Sequence, residues 1–254
     1  MYSSLATVYI PSPFYGARNA TIDTITIHHM AGDFTVETCG NIFQREGRNA
    51  SSNYGIGTDG RIACYVDEEH RAKTSSNWRN DARSITIEVA NNCYNPWTVS
   101  DVALSSLINL LIDVCYRRGI YPLKWSDNKT DRVNHKNGCN MTVHRDFTAT
   151  ICPSDYLMYR MSYIAEQVNA GIKELIKDDT DENVDSSFLV RVTATVLNIR
   201  KGAGTSYKIV GTVKRGEVFT IVETTKNKGL TWGRLKSGAG WICLKYTEPI
   251  NIKA

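Results

Sequence analysis

The chain has 254 residues, 42% of them hydrophobic, a formal net charge of +4 and seven cysteines, enough for one large fold or a large domain with a small one. Its longest apolar run, Leu107 to Cys115, is broken by Asn109 and Asp113, far short of the roughly 20 apolar residues that span a bilayer, so no membrane partner is expected. The cysteines are odd in number, without a CxxC pair or regular spacing, which argues against a disulfide framework and predicts that Cys39, Cys64 and Cys115 are buried small apolar residues.

Residues 1–20 carry no basic start followed by an apolar stretch, and Pro11 and Pro13 interrupt them. The expectation is a chain without a secretory leader, cytoplasmic until released. Next, Thr24-Ile25-Thr26-Ile27-His28 alternates as a β-branched strand does, and so does Ser84-Ile85-Thr86-Ile87-Glu88-Val89. Between them, the Asp59-Gly60 pair flanked by Tyr54 to Ile56 and by Ile62 is a hairpin signal. Ser100 is placed to cap a helix with apolar residues at 103, 107, 110, 111, 114 and 115 that ends at Gly119. A second helix is expected to start at Pro153 and run through Leu157, Met161, Ile164 and Val168. Strands and helices mix throughout, so the fold class of this part is α/β, with a mixed sheet and flanking helices.

Charge divides the chain. Residues 1–176 carry a net −1 and Phe188 to Ala254 a net +9. The segment 177–187 holds five acids and one apolar residue, a composition that cannot bury a core and predicts a linker. The expected organisation is a domain over 1–176, an acidic linker over 177–187 and a second domain over 188–254. In the last, short strand-like runs at 190–192, 211–213, 218–222, 232–235 and 240–242 alternate with Gly, Lys and Asn turns, the pattern of a small all-β barrel.

A hydrolytic zinc site needs about three N, S or O ligands and an open position. With five histidines in the chain, His28 ends an apolar strand, and His144 precedes Cys152 by eight residues in His144-Arg145-Asp146-Phe147-Thr148-Ala149-Thr150-Ile151-Cys152-Pro153. Spacing alone favours the packed reading, since a lone His or Cys is more often a core residue than a ligand.

That stretch, with Ile25 to Gly32, resembles the type 2 N-acetylmuramoyl-L-alanine amidases, the superfamily of phage lysins and peptidoglycan recognition proteins, over residues 20–175. The resemblance implies Zn2+ bound by His28, His144 and Cys152, with His29 a neighbour on the opposite strand face; His70 and His135 match no ligand position. Glu88 is the natural general base, a carboxylate near the end of an apolar strand where burial would raise its pKa, and it matches the family's base position. An ion pair with Arg83 or Arg145 is the structural alternative.

Two departures stand out. Where many recognition-protein amidases carry a catalytic Tyr, this chain has Ser52, with Tyr54 offset by two and expected to pack. Where several relatives carry a Lys two residues before the Cys, it has Thr150, which the reading assigns to oxyanion stabilisation together with the zinc. Trp78, Trp97 and Trp125 are candidates for a sugar or peptide groove.

From Thr195 to Tyr207, with Gly211 to Glu217 and Gly240-Trp241-Ile242, the basic segment resembles bacterial SH3-like domains, which accompany wall-lytic enzymes. Bacterial peptidoglycan, in a Gram-positive wall, is the implied partner. Trp232 and Trp241 fall on positions expected for a barrel core, and no nucleic-acid motif accompanies them, so nucleic acid is not an expected partner. The implied function is hydrolysis of the amide between N-acetylmuramic acid and L-alanine by an endolysin-like protein. A peptidoglycan endopeptidase and a non-catalytic peptidoglycan receptor remain open.

Overall fold

The computed structural model describes residues 1–182 and 187–250. They form two compact units, Met1–Glu174 and Leu175–Ala254. Among the described residues no helix is long and apolar enough to cross a membrane.

Up to Glu182 the elements are β1 (Val8–Tyr9), β2 (Tyr15–Ala17), β3 (Thr24–His29), α1 (Val36–Gln44), β4 (Tyr54–Ile56), β5 (Ile62–Cys64), β6 (His70–Ala72), α2 (Trp78–Arg83), β7 (Ser84–Val89), α3 (Asp101–Arg118), α4 (Lys129–Val133), β8 (Met141–Val143), α5 (Asp155–Met158) and α6 (Met161–Glu182). Six strands make a mixed sheet in the order β1-β5-β4-β7-β3-β8, and β2 pairs with β6 apart from it. Strand β3 runs parallel to both β7 and β8, and its register sets Ile27 beside Ile87 and His28 beside Glu88. The expected hairpin is β4 antiparallel to β5.

Period-two alternation explains the two faces of this sheet. Ile25, Ile27, Ile85, Ile87 and Val89 enter one apolar core with Leu107, Leu110, Leu111 and Val114 of α3 and with Leu157, Met161, Ile164 and Val168. The intervening threonines face the other way and satisfy one another: Thr26 and Thr142 hydroxyls lie 2.8 Å apart, and Asn80 donates to Thr26 at 3.0 Å and accepts from Thr142 at 3.0 Å. Buried hydroxyls are tolerated there because each finds a partner. Toward the β1 edge, α1 packs Val36, Cys39 and Phe43 against Ala63 and Tyr65. Cys39, Cys64 and Cys115 are all buried.

Helix α3 begins and ends where its sequence predicts. The Ser100 hydroxyl accepts the Ala103 N–H at 3.2 Å, and Gly119 closes the helix at φ 68°, ψ 25°, a left-handed conformation that glycine adopts without a Cβ clash. The second expected helix needs correction. Ser154 lies at φ 84°, which no α-helix can continue, so helix starts at Asp155 instead of Pro153. It stops after Met158 and resumes at Met161. The apolar face survives the break, because Leu157, Met161, Ile164 and Val168 are all fully buried.

The acidic segment is also partly helical: α6 continues through Glu182. Asp and Glu disfavour a core, yet Glu, Lys, Leu and Ile are compatible with a helix that needs none. Residues 183–186 lie outside the described ones.

The second unit contains β9 (Phe188–Val192), β10 (Val196–Arg200), β11 (Ile209–Lys214), β12 (Val218–Asn227), β13 (Leu230–Leu235), β14 (Trp241–Cys243) and β15 (Thr247–Ile250). They form an all-β, SH3-like sheet in the order β11-β10-β14-β13-β12-β9-β15. Lys228 and Gly229, at φ 49° and 76°, make the two-residue turn between β12 and β13, whose positive φ values match strand twist. Val190, Val192, Leu197, Ile199, Val213, Ile221, Leu235 and Ile242 are its core. Of the two tryptophans expected in a barrel core, Trp232 is buried, though not within the aliphatic cluster, and Trp241 is only half-buried.

Candidate active site

The parallel strands β3 and β7 deliver His28 and Glu88 at adjacent positions on the threonine face, at the carboxyl ends of the strands, where open α/β sheets form their ligand crevices. His28 Nδ1 and a Glu88 carboxylate oxygen are 4.0 Å apart. Neighbouring β8 ends at Val143, and His144 opens a 3-10 turn over His144–Asp146. Buried Asp146 fixes that turn: it accepts the Val143 N–H at 3.0 Å and pairs through both oxygens with the Arg132 guanidinium, which lies 4.4 Å over the Trp125 ring. A two-pronged Arg–carboxylate pair constrains orientation as well as distance.

The following loop returns Cys152. The Cys152 carbonyl accepts from the Arg145 N–H at 3.2 Å and from Arg145 Nε at 3.3 Å, and Arg145 also pairs with Asp155 at 3.1 Å. Cys152 Sγ accepts the His29 backbone N–H at 3.4 Å and lies 3.6 Å from His28 Nδ1. The His28 and His144 rings sit 4.9 Å apart. One ligand atom from each of His28, His144 and Cys152 falls within 4.8 Å of the others.

These three residues fit a zinc ion on physical grounds. Burial, followed by the nearby His144 and His29, depresses the His28 pKa well below the imidazole range, and burial lowers that of His144, so both rings are neutral and offer lone pairs. Burial, reinforced by Glu88, pushes the Cys152 thiol well up, so a thiolate there calls for a cation. His28 Nε2, His144 Nε2 and one Glu88 oxygen are buried without a hydrogen-bond partner, a cluster of unsatisfied groups that is costly in an ordinary core. His29 lies outside the trio, its ring edge-on to Trp97 at 5.7 Å.

Glu88 is 15% exposed at its side chain, and burial, against a smaller opposing pull from Arg48, drives its pKa up to about 8. Neither arginine considered as a structural partner reaches it, since Arg83 pairs with Asp23 at 2.6 Å and Arg145 braces the Cys152 loop. Arg48 was not singled out in the sequence. It follows Gly47 in the stretch after α1, and only the folded chain brings it beside Glu88. Two cavities meet there: one of about 460 Å³ includes Arg71, Lys73, Trp78 and Asp81, the other, of about 260 Å³, includes Met30, Phe34, Thr150 and Cys152. Arg48, Glu88 and His144 line both.

Thr150 therefore borders the site, with its hydroxyl oxygen accepting the Cys152 N–H at 3.2 Å. Of the three loop tryptophans, Trp78 lines the larger cavity and Trp97 borders a smaller one with Thr150, whereas Trp125 sits under Arg132 away from the site. Tyr54 is fully buried, donates to Glu68 at 2.5 Å and accepts from the Ser3 N–H. Ser52 donates to the Thr86 carbonyl, so neither residue reaches the cavity. His70 packs against Tyr15, and His135 bonds the Cys139 carbonyl.

The family described as N-acetylmuramoyl-L-alanine amidase matches residues 18–155, more than half of the chain. The chain belongs to the N-acetylmuramoyl-L-alanine amidase family. The bacterial SH3 domain family matches residues 195–247. No curated protein matches the chain. Similar solved structures include an endolysin N-acetylmuramoyl-L-alanine amidase from Clostridium intestinale URNW, 18% identical, with 59% of this chain and 87% of that one covered and a TM-score of 0.45. A selenomethionine derivative of AmpD is 19% identical over 63% and 94% of the two chains at a TM-score of 0.49. Drosophila peptidoglycan recognition protein SA is 17% identical over 60% and 84% at 0.45.

Proposed function

We propose that this amidase is zinc-dependent and hydrolyses the bond between N-acetylmuramic acid and L-alanine in Gram-positive peptidoglycan, with the SH3-like unit holding the enzyme to the wall. The observation that carries this reading is the convergence of His28, His144 and Cys152 within 4.8 Å beside the half-buried Glu88. Zinc, when bound by these three residues, supplies a Lewis acid at the end of the cavity.

The remaining chemistry belongs to the chain. Glu88, in its ionised form, takes a proton from the attacking water and returns it to the departing amine nitrogen, a role worth about 10²–10⁴ in rate. The Thr150 hydroxyl, whose oxygen is already held by the Cys152 N–H, has its proton free to donate to the oxygen that becomes negative as the carbonyl turns tetrahedral. Arg132 and Asp146 hold His144 in place, and Arg145 holds the loop that carries Cys152.

The domain organisation proposed is an amidase over 1–176 and an SH3-like wall-binding domain over 188–254, the latter's net +9 suiting an anionic wall. The localisation proposed is the cytoplasm until release to the wall, as in a phage endolysin. Retention of all three ligands speaks against a receptor that has lost catalysis.

The test is digestion of purified Gram-positive peptidoglycan with and without a chelator, scoring new reducing sugars and new amino termini. Chelator-sensitive release of amino-terminal L-alanine with no new reducing ends is expected. A different terminal residue would make the enzyme an endopeptidase, and binding without release would make it a receptor.

A further inference from the structure

A substrate amide attacked by the water that Glu88 activates has to lie where the two cavities of the site meet. Arg48 is at that junction, lining both cavities as Glu88 and His144 do. Of the residues around the smaller cavity it alone carries a permanent positive charge, whereas Arg71 and Lys73 border only the larger.

Arg48 is also the uncommitted cation of the site. Arg132 and Arg145 brace the ligand loops and pair with Asp146 and Asp155. Among the described residues Arg48 pairs with no carboxylate. Its backbone is nonetheless held: the Arg48 N–H donates to the Arg45 carbonyl at 3.1 Å, and Lys73 Nζ donates to the Asn49 side chain at 2.7 Å. The side chain itself is exposed, so it can close on a bound substrate, and its charge reaches Glu88, where it opposes the effect of burial.

The reaction calls for a cation at this point. As the water oxygen bonds to the carbonyl carbon, the C=O π pair moves onto the carbonyl oxygen and leaves it negative. When the C–N bond breaks, that pair returns and the nitrogen takes the proton held by Glu88. Thr150 offers the oxygen one neutral donor, and a charged donor makes a hydrogen bond roughly twice as strong.

We propose that Arg48 is a further catalytic residue, whose guanidinium donates to the oxygen that turns negative in the tetrahedral intermediate. The inference rests on the amidase reading of the site.

The test compares full-length wild type, Arg48→Ala and Arg48→Lys on purified Gram-positive peptidoglycan. Arg48→Ala is expected to lower kcat about 10–10²-fold with KM little changed, less than the loss of a fully enclosed oxyanion donor because water screens an exposed one. Arg48→Lys should keep part of the rate, and bound zinc and Tm should match wild type in both variants. Guanidinium chloride, at a concentration too low to unfold the protein, should restore part of the Arg48→Ala rate where equal sodium chloride does not. An unchanged kcat would overturn the proposal. A rise in KM alone would make Arg48 an anchor for a substrate carboxylate, and a loss of zinc or a fall in Tm would make its role structural; either result refutes a catalytic one. Equal response to the two salts would rule out a specific guanidinium contact. Failure of the amidase reading shows in wild type itself, as no chelator-sensitive release of amino-terminal L-alanine, whereas failure of this inference alone shows as an active wild type beside an unimpaired Arg48→Ala.

Discussion

Glu68 offers a direct measure of what holds the catalytic unit together. Its carboxylate is fully buried and accepts from Arg117 at 2.8 Å, Arg118 at 2.6 Å and Tyr54 at 2.5 Å, tying α3 to β4 behind the site. Glu68→Gln keeps the shape but removes the charge. Breaking a buried pair costs about 3–5 kcal/mol. Arg117 and Arg118 are 27% and 18% exposed and have second partners in Asp113 and Glu69, so the low end, about 3 kcal/mol, is expected. In a unit of this size each kcal/mol moves Tm by roughly 2–4 °C, giving a loss of about 6–12 °C by differential scanning calorimetry at pH 7.

The pH dependence has a definite sign. Burial works to raise the Glu68 pKa, but hydrogen bonds from Arg117, Tyr54 and Arg118 outweigh it and hold the group below its ordinary 4.5. A depressed acid stabilises the fold fully above its unfolded pKa and loses that contribution as pH falls through the folded value. The gap between wild type and Glu68→Gln should therefore be constant above about pH 5.5 and shrink below about 4.5. A Tm difference under about 2 °C at pH 7, or one undiminished at low pH, would refute the assignment.

Glu88→Gln is expected to lower kcat on peptidoglycan about 10²–10⁴-fold while leaving bound zinc, measured by plasma emission, at the wild-type ratio; parallel loss of metal would make Glu88 a ligand instead of a base. Cys152→Ala should bind little zinc, and a chelator should lower the Tm of wild type but not of this variant, since only an ion held by the folded state stabilises it. Thr150→Ala should reduce kcat by about 10² with KM little changed, and an unimpaired variant would remove Thr150 from the mechanism. Arg132→Leu should release the His144 turn, cutting both zinc retention and kcat, whereas an effect on kcat alone would mean that the Asp146 pair does not position the ligand.

Strand-level structure was legible because it is local. The Thr-Ile alternation of β3 and the Ser-Ile-Thr-Ile-Glu-Val run of β7 each declare which side chains share a face, and the Ser100 and Gly119 caps bound α3 by hydrogen bonds within a few residues. The convergence of His28, His144 and Cys152 was anticipated through the resemblance to the amidases, since His28 ends a strand and spacing alone decides little. Tertiary structure decided what depends on distance between segments remote in sequence. The threonine hydroxyls pair across β3 and β8, Arg48 joins Glu88 from another loop, and Arg83 and Arg145 turn to other partners. Trp232 is buried, yet outside the aliphatic cluster drawn from six strands, its own included, a packing outcome to which the whole second unit contributes.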